Sequence, residues 1–123
     1  MAEVINNKIS IFPFDIDIDS KIGPQKGKVF KLNMLGMIVE VSTGAFVPQL
    51  PLNLKFIVPL DNKLIQDEGL VVKTYNQHQG EKMKYFVEIH FKKLKPQNKD
   101  ALDQFLRKYE DMLAKAKIKK AQS

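Results

Sequence analysis

The chain has 123 residues and no cysteine, with 44% hydrophobic residues and a formal net charge of +6. This length suits one domain with its own core, and the lack of cysteine excludes disulfides and thiolate metal ligands. No apolar run approaches the roughly 20 residues of a membrane span. The first residues also lack a signal-peptide pattern, so a cytoplasmic protein is expected.

The excess positive charge is confined to the last quarter of the chain. Residues 1–91 contain ten lysines and ten acidic residues, whereas residues 92–123 contain nine lysines, one arginine and four acidic residues. Such a basic end can meet nucleic acid, anionic lipid or an acidic protein, or it can be a solvated helix face. We predict the solvated face, with a frayed basic tail at residues 117–123.

Alternating apolar and polar residues predict half-buried strands along most of the chain. These stretches are residues 14–19, 28–41, 52–60, 70–76 and 85–91. The second stretch is hinged at Gly36, and a glycine inside a strand pattern marks a bulge or a close backbone approach. Polar residues with glycine predict turns at 61–69 and 77–84.

The period of the apolar pattern changes after residue 96 and predicts one amphipathic helix. Pro96 suits the first turn of this helix, and Asn98 or Asp100 is expected to cap it. Spacings of three and four define the apolar stripe, which consists of Leu102, Phe105, Leu106, Tyr109, Met112, Leu113 and Ala116.

The order of these elements predicts a mainly β fold. The connections between strands are too short for helical crossovers, so the sheet is expected to be antiparallel. We predict a small six-stranded β-barrel of the split-barrel type with a C-terminal α-helix, because closure removes exposed strand edges. The expected domain spans residues 12–116, after an N-terminal arm at residues 1–11 and before the basic tail.

Three motifs that suggest a metal, a phosphate or catalysis are incomplete. The run DIDID resembles a calcium loop, but Ser20 and Lys26 stand where that loop needs glycine and glutamate. The run GPQKGK is one residue short of a phosphate loop, and Val29 follows it in place of Ser or Thr. His78 and His90 form a weak metal set without cysteine, and no hydrolase motif is present. Neither a metal site nor an enzyme is expected.

Residues 12–109 resemble the PilZ domain, a bacterial family of cyclic di-GMP receptors and their non-binding relatives. The resemblance lies in the order of the segments. FPFDIDI resembles the first strand, GKVFKLNMLGMIVEV the strand, ligand motif and returning strand, and LDQFLRKY the final helix. LPLNLKFIVPLDN, DEGLVVKTYN and YFVEIHFKKL resemble the strands between them.

The two ligand motifs of that family fall on residues that mostly do not match. The family binds its ligand with RxxxR, which falls on Asn7 and Ile11, and with [D/N]xSxxG, which falls on Lys31, Asn33 and Gly36. Arginine offers a planar fork of donors to phosphate and guanine, whereas lysine is a point charge. Only the glycine survives, and its structural interpretation is a bulge that closes the barrel.

No shifted alignment restores these motifs. Arg107 is the only arginine in the sequence, and it lies in the predicted helix. Placing the second motif on Glu40, Ser42 and Ala45 keeps the serine but loses the glycine, and the first placement fits the following GMIVE better.

The resemblance therefore implies a non-enzymatic adaptor of bacterial signalling, in motility, pilus or exopolysaccharide control. It is expected to be deficient in cyclic di-GMP binding and to act through an unidentified protein partner, without a cofactor. One alternative is a genuine cyclic di-GMP receptor with a lysine-based site, formed by Lys8, Lys21, Lys26, Lys28 and Lys31. A nucleic-acid-binding barrel is disfavoured, because the body of the chain is neutral and its aromatic residues fall on apolar faces.

Overall fold

The computed structural model describes the backbone of residues 9–122 and the side chains of residues 13–115. Six strands precede one long helix. They are β1 (Ile9–Asp19), β2 (Gln25–Leu32), β3 (Gly36–Val41), β4 (Pro51–Val58), β5 (Lys63–Gln79), β6 (Lys82–Phe91) and α1 (Pro96–Gln122). The limits of the domain at residues 12 and 116 stay a prediction. In the structure, β1 includes residues 9–11 and α1 includes residues 117–122.

The strands form a closed barrel in the order β1-β2-β3-β6-β5-β4, and every neighbouring pair is antiparallel. The ring closes between β1 and β4, where Ile16 pairs with Phe56 and Ile18 with Leu54. This confirms the predicted six-stranded antiparallel barrel with a C-terminal helix.

The core fills the barrel and continues under the first half of α1. Alternate residues of β4, Leu52 to Val58, point inward and are buried. The ring of Phe14 lies 5.8 Å from Phe56 and 6.4 Å from Phe105 of α1, so an aromatic cluster joins barrel and helix. Burial of both Phe56 and Phe105, which the sequence patterns predict, is confirmed.

The turn predicted at residues 61–69 is wrong, because residues 63–69 form the first part of β5. Only one inward position there carries an apolar side chain, Ile65. The next inward residues are Asp67, which binds α1, and Gly69, where a Cβ would lie 2.8 Å from Ile89 and 2.9 Å from Leu54. Apolar alternation was therefore absent from a strand that is nevertheless buried on one side.

The polar turn predicted at residues 77–84 is also much shorter in the structure. Gln77 pairs with Lys84 and Gln79 with Lys82, so the turn itself is only Gly80 and Glu81. Residues 76–83 are all exposed, so neither face of this hairpin needs apolar residues and the sequence shows no alternation.

The predicted apolar stripe of α1 is buried only in its first part, since Met112 and Leu113 are 47% and 40% exposed. The expected cap at Asn98 or Asp100 is wrong, because α1 begins at Pro96, ahead of both residues, and the Asn98 amide instead donates to Gln66 O at 2.8 Å.

Candidate functional site

The tight hairpin between β2 and β3 contains the residues at the [D/N]xSxxG positions. Asn33 N–H donates to Gly36 O at 2.9 Å, which closes the turn. The Asn33 side-chain oxygen accepts from the backbone N–H of Leu35 at 2.8 Å and of Gly36 at 2.9 Å. Asn and Asp often fix turns in this way. Asn33 is therefore a structural residue of the hairpin.

Gly36 begins β3 at a point of close approach to β6. A Cβ at Gly36 would collide with the Ile89 carbonyl oxygen and lie 3.1 Å from the His90 ring. Its backbone conformation is an ordinary one, since no positive φ is found there. The strand irregularity in this hairpin lies between Val29 and Lys31, so the bulge expected at Gly36 is displaced into β2. Glycine at position 36 follows from strand packing alone.

Lys31 is exposed on the outer face of the barrel, at the end of β2. It pairs with Ile38 of β3, Ile38 pairs with Glu88 of β6, and Glu88 pairs with Lys73 of β5. Directly paired residues project from the same face of a sheet. These four side chains therefore form one row across the outer face.

Glu88 lies in this row as a buried carboxylate, with its side chain 2% exposed. The Tyr75 hydroxyl donates to Glu88 Oε1 at 3.1 Å, and His90 Nε2 lies 3.1 Å from Oε2. Burial raises the pKa of the Tyr75 hydroxyl, and the Glu88 carboxylate raises it further. Lys73 Nζ lies 5.0 Å from the centre of the Tyr75 ring, in cation–π range. The network places a carboxyl group, with hydrogen-bond partners for both of its oxygens, within the outer face.

A cavity of about 580 Å³ opens on the same face, next to Lys31. The rings of Phe30 and Phe86 meet edge-on in its wall, with 6.0 Å between their centroids. Glu40 and Lys84 form a loose ion pair across it, at 3.9 Å. The aromatic and charged residues that line this cavity are Phe30, Lys31, Glu40, Tyr75, Lys84 and Phe86.

The remaining predicted ligand positions are not assembled with this cavity. Asn7 lies outside the described residues, and Ile11 is described only as backbone within β1. Arg107 lies on α1, where its guanidinium pairs with Asp103 at 3.1 Å. Along β2, Lys21 precedes one end and Lys31 lies at the other, so these two lysines do not share a site.

A larger cavity, of about 930 Å³, lies between β1, β2, β4, β5 and the segment that leads into α1. Its lining alternates in charge, since Asp17 pairs with both Lys26 and Lys55. This alternation gives it no preference for an anionic or a cationic ligand. Among the side chains that the structure describes, residues 13–115, no cluster of three or more His, Asp or Glu could hold a metal ion. No helix within residues 9–122 is long and apolar enough to cross a membrane.

These features, a closed six-stranded antiparallel barrel with a C-terminal helix and a short β2–β3 hairpin, define the PilZ-domain fold. No family model and no curated protein matches the sequence. Among solved structures, the chain is similar to the PilZ domain of YcgR from Escherichia coli with c-di-GMP, at a TM-score of 0.72 and 12% identity over 92% of this chain and 95% of that chain.

Two further structures have the same fold. YcgR in complex with c-di-GMP, from Escherichia coli, matches at a TM-score of 0.74 and 11% identity over 93% of this chain and 48% of that chain, so the chain spans about half of that protein. The PilZ domain of CeSA from a cellulose-synthesizing bacterium matches at a TM-score of 0.57 and 15% identity, over 85% of this chain and 98% of that chain. The PilZ-like fold expected from the order of segments is thereby confirmed.

Glu88 and Tyr75 are the part of this face that sequence reasoning missed. The alternation of YFVEIHF put Glu88 on the polar side of its strand, which indicates solvent exposure. Its burial results from Tyr75 on the neighbouring strand and His90 on its own strand. A glutamate two residues before a histidine was the only local signal.

Proposed function

We propose that this chain is a non-enzymatic PilZ-fold adaptor that has lost the cyclic di-GMP site and acts through contact with a protein partner. The observation that carries the proposal is the use of Asn33. At the serine position of the ligand motif, its side-chain oxygen is occupied by the amides of Leu35 and Gly36. It holds the hairpin closed and offers no hydroxyl to a ligand.

The charges of the outer face support the same conclusion. Cyclic di-GMP carries two phosphates, and the family meets them with arginine forks. Here Lys31 is the one cation at the motif positions that the structure describes, and the neighbouring position across β3 leads to the buried carboxylate of Glu88. A carboxylate does not attract phosphate, and lysine cannot replace the bidentate fork.

The same face has features that suit a protein contact. Phe30, Ile38, Tyr75 and Phe86 are all half-buried, so each keeps part of its apolar surface accessible. Partly accessible aromatic side chains are enriched in protein interfaces. The proposed setting is the bacterial cytoplasm, in motility, pilus or exopolysaccharide control, as the likeness to PilZ domains implies.

Isothermal titration with cyclic di-GMP tests the loss of the ligand. We expect no saturable isotherm at micromolar ligand, while the YcgR PilZ domain serves as the binding control. A dissociation constant below about 10 μM, worth roughly −7 kcal/mol, would contradict the proposal. The matched gain-of-function variant combines Asn7→Arg, Ile11→Arg, Lys31→Asp and Asn33→Ser. Binding by this variant alone would assign the loss to the motif positions.

A lysine-based receptor is the second candidate, because the cavity of about 580 Å³ beside Lys31 contains lysines and aromatic rings together. Aromatic rings can stack on guanine, and lysine can meet phosphate as a point charge. If the unmodified chain binds cyclic di-GMP, Lys31→Ala and Lys84→Ala should weaken binding, whereas Lys99→Ala on α1 should not. Nucleic-acid binding is the least favoured function, since the outer face contains Glu40 and Glu88 among its lysines.

A further inference from the structure

The C-terminal end of β5 extends beyond β4, one of its two neighbours in the barrel. Its ladder with β4 ends at Leu70, and Val71 exchanges backbone hydrogen bonds with the segment before β4, at Leu50 and Gln49. From Lys73 to Gln79 the strand pairs only with β6, as far as the described part of the chain goes. The end of the β5–β6 hairpin therefore leaves the barrel as a two-stranded ribbon.

The hairpin turn determines which backbone groups point to the outside of this ribbon. Gly80 and Glu81 form a two-residue turn with a positive φ of 64° at Gly80, so the flanking residues Gln79 and Lys82 hydrogen-bond to each other. Hydrogen-bonded and non-bonded pairs alternate along an antiparallel ladder. It follows that Thr74, Asn76 and His78 direct their N–H and C=O groups away from β6, towards the open edge.

This edge lacks the features that usually prevent strand pairing. Proteins protect edges with proline, bulges or charged side chains. The segment KTYNQHQ contains no proline, its strand irregularity lies before Lys73, and Lys73 is its only side chain with a fixed charge. The side chains of Thr74, Asn76 and His78 are exposed. The edge is thus accessible over several residues.

The edge is complementary to itself. Three residues with outward N–H and C=O groups are spaced two apart, and Asn76 is the central one. A second copy running antiparallel about a two-fold axis at Asn76 places Thr74 opposite the second copy's His78, and each Asn76 opposite the other. Every one of these pairs is a hydrogen-bonded pair. In the same register Lys73 lies opposite the neutral Gln79 of the second copy, so no fixed like charges meet.

We propose that this protein self-associates by antiparallel pairing of β5 with β5 of a second copy, centred on Asn76. The contact is isologous, so it closes as a dimer and leaves no further edge to propagate. The two-fold axis is perpendicular to the joined sheet, and it brings the outer faces with Tyr75 of both copies to the same side. The interface is small, so the association is expected to be weak and concentration-dependent. This inference does not depend on the proposed function.

Disulfide trapping tests the register directly, because the natural sequence has no cysteine. The two Cα atoms of a hydrogen-bonded antiparallel pair lie about 5.5 Å apart, within the range that a disulfide spans. Asn76→Cys should therefore give a covalent dimer under mild oxidation. His78→Cys is the matched control, since its mate is Thr74 and not itself, and it should stay monomeric. The double variant Thr74→Cys with His78→Cys should cross-link again.

Sedimentation equilibrium of the reduced chain supplies an independent readout. Asn76→Pro removes the edge N–H without removing a hydrogen bond to β6, and should weaken dimerisation by about tenfold or more. Asn76→Lys, which places two cations at the axis, should do the same and retains the backbone donor if proline disturbs the fold. A monomeric wild-type chain up to millimolar concentration would overturn the proposal. The proposal would also be overturned if His78→Cys formed the covalent dimer as readily as Asn76→Cys, or if the β5 edge paired with another protein and not with a second copy of this chain.

Discussion

The two halves of α1 share one sequence pattern but have different surroundings. In the first half the stripe is covered by the barrel, with Phe105 1% and Tyr109 8% exposed. In the second half Met112 and Leu113 continue the same stripe but are 47% and 40% exposed. Periodicity therefore predicts which face of a helix is apolar, whereas the length of the neighbouring sheet decides how much of that face is buried.

Polar contacts show the same division. At the start of α1, Asp67 Oδ2 accepts from Lys95 N at 2.9 Å and from Asn98 Nδ2 at 3.0 Å. Further along, Lys63 Nζ donates to Gln104 Oε1 at 3.2 Å, and Lys108 pairs with Asp61 in the β4–β5 turn. Beyond Lys108, Lys115 pairs with Asp111 at 3.2 Å, within α1 itself. The first half is attached to the barrel at three points.

The largest difference between the halves should appear on truncating their apolar residues. Phe105→Ala removes a buried ring and should lower the free energy of unfolding by about 3–5 kcal/mol. Met112→Ala, in the same stripe, should change it by less than about 0.5 kcal/mol. Urea unfolding followed by circular dichroism measures both. Equal losses for the two variants would mean that the second half is also covered.

Removing the carboxylate under the first turn of α1 should have the next largest effect. Asp67→Ala leaves the Lys95 and Glu68 N–H groups without their side-chain acceptor and removes one of the two acceptors of the Asn98 amide. We expect a loss of about 2–3 kcal/mol, typical of hydrogen bonds to a charged group. Glu110→Ala, an exposed acid of the second half, is the control and should be neutral. An unchanged urea midpoint for Asp67→Ala would contradict this assignment.

Acid should remove part of the same contribution. Burial raises the pKa of Asp67, but the Asn98 amide, the backbone N–H groups of Lys95 and Glu68 and the Lys95 charge outweigh it, so the pKa lies below its ordinary value of 3.8. A lowered carboxyl pKa stabilises the fold above that value, and the gain is lost as pH falls through the folded pKa. The stability difference between wild type and Asp67→Ala should therefore shrink as the pH falls below about 3.8, rather than widen.

Breaking the ion pair at the end of the covered half should cost less. The side chain of Asp61 is 9% exposed, and that of Lys108 is 57% exposed. Lys108→Ala should therefore cost about 1–2 kcal/mol, between the values for exposed and buried pairs. Lys115→Ala breaks the exposed pair with Asp111 and should cost no more than about 0.5 kcal/mol. Thermal unfolding of the two variants measures both losses. A larger loss for Lys115→Ala than for Lys108→Ala would mean that α1 is held to the barrel beyond Lys108.

Deleting residues 117–123 should have the smallest effect on stability, within about 0.5 kcal/mol, because terminal segments beyond the packed stripe contribute little. The deletion removes three lysines, so it should weaken any contact with an acidic partner and flatten its salt dependence. Pull-down from the native cytosol at low and moderate salt compares the full and truncated chains. Identical partners and salt sensitivity would exclude the basic end from the contact.

The strands were predictable where one side faces the core and the other faces water, as in β4. They were not predictable where inward positions carry Asp67 and Gly69, because these residues are explained by partners distant in sequence, Asn98 and Ile89. The same reason applies to the cap of α1. Asn98 has the right residue type for a cap, but a contact with β5 determines its role.

The candidate site was predictable in position but only partly in chemistry. The order of segments placed the ligand motif on the β2–β3 hairpin, where Asn33 and Gly36 are found. That Asn33 would close its own turn follows from local turn chemistry and was within reach of the sequence. The burial of Glu88 was not, since it depends on the alignment of β5 beside β6, which brings Tyr75 to the carboxylate.

The closing ladder between β1 and β4 has a consequence for the route by which the chain folds. Two of the strand pairs, β2–β3 and β5–β6, are hairpins with short connections, so their pairing costs little chain entropy. β1 meets β4 only after β2, β3 and the loop at residues 42–50 have been ordered between them. Non-local pairing of this kind slows folding. We therefore expect closure of the ring at Ile16 and Phe56 to come late, and mutations there to speed unfolding more than they slow folding.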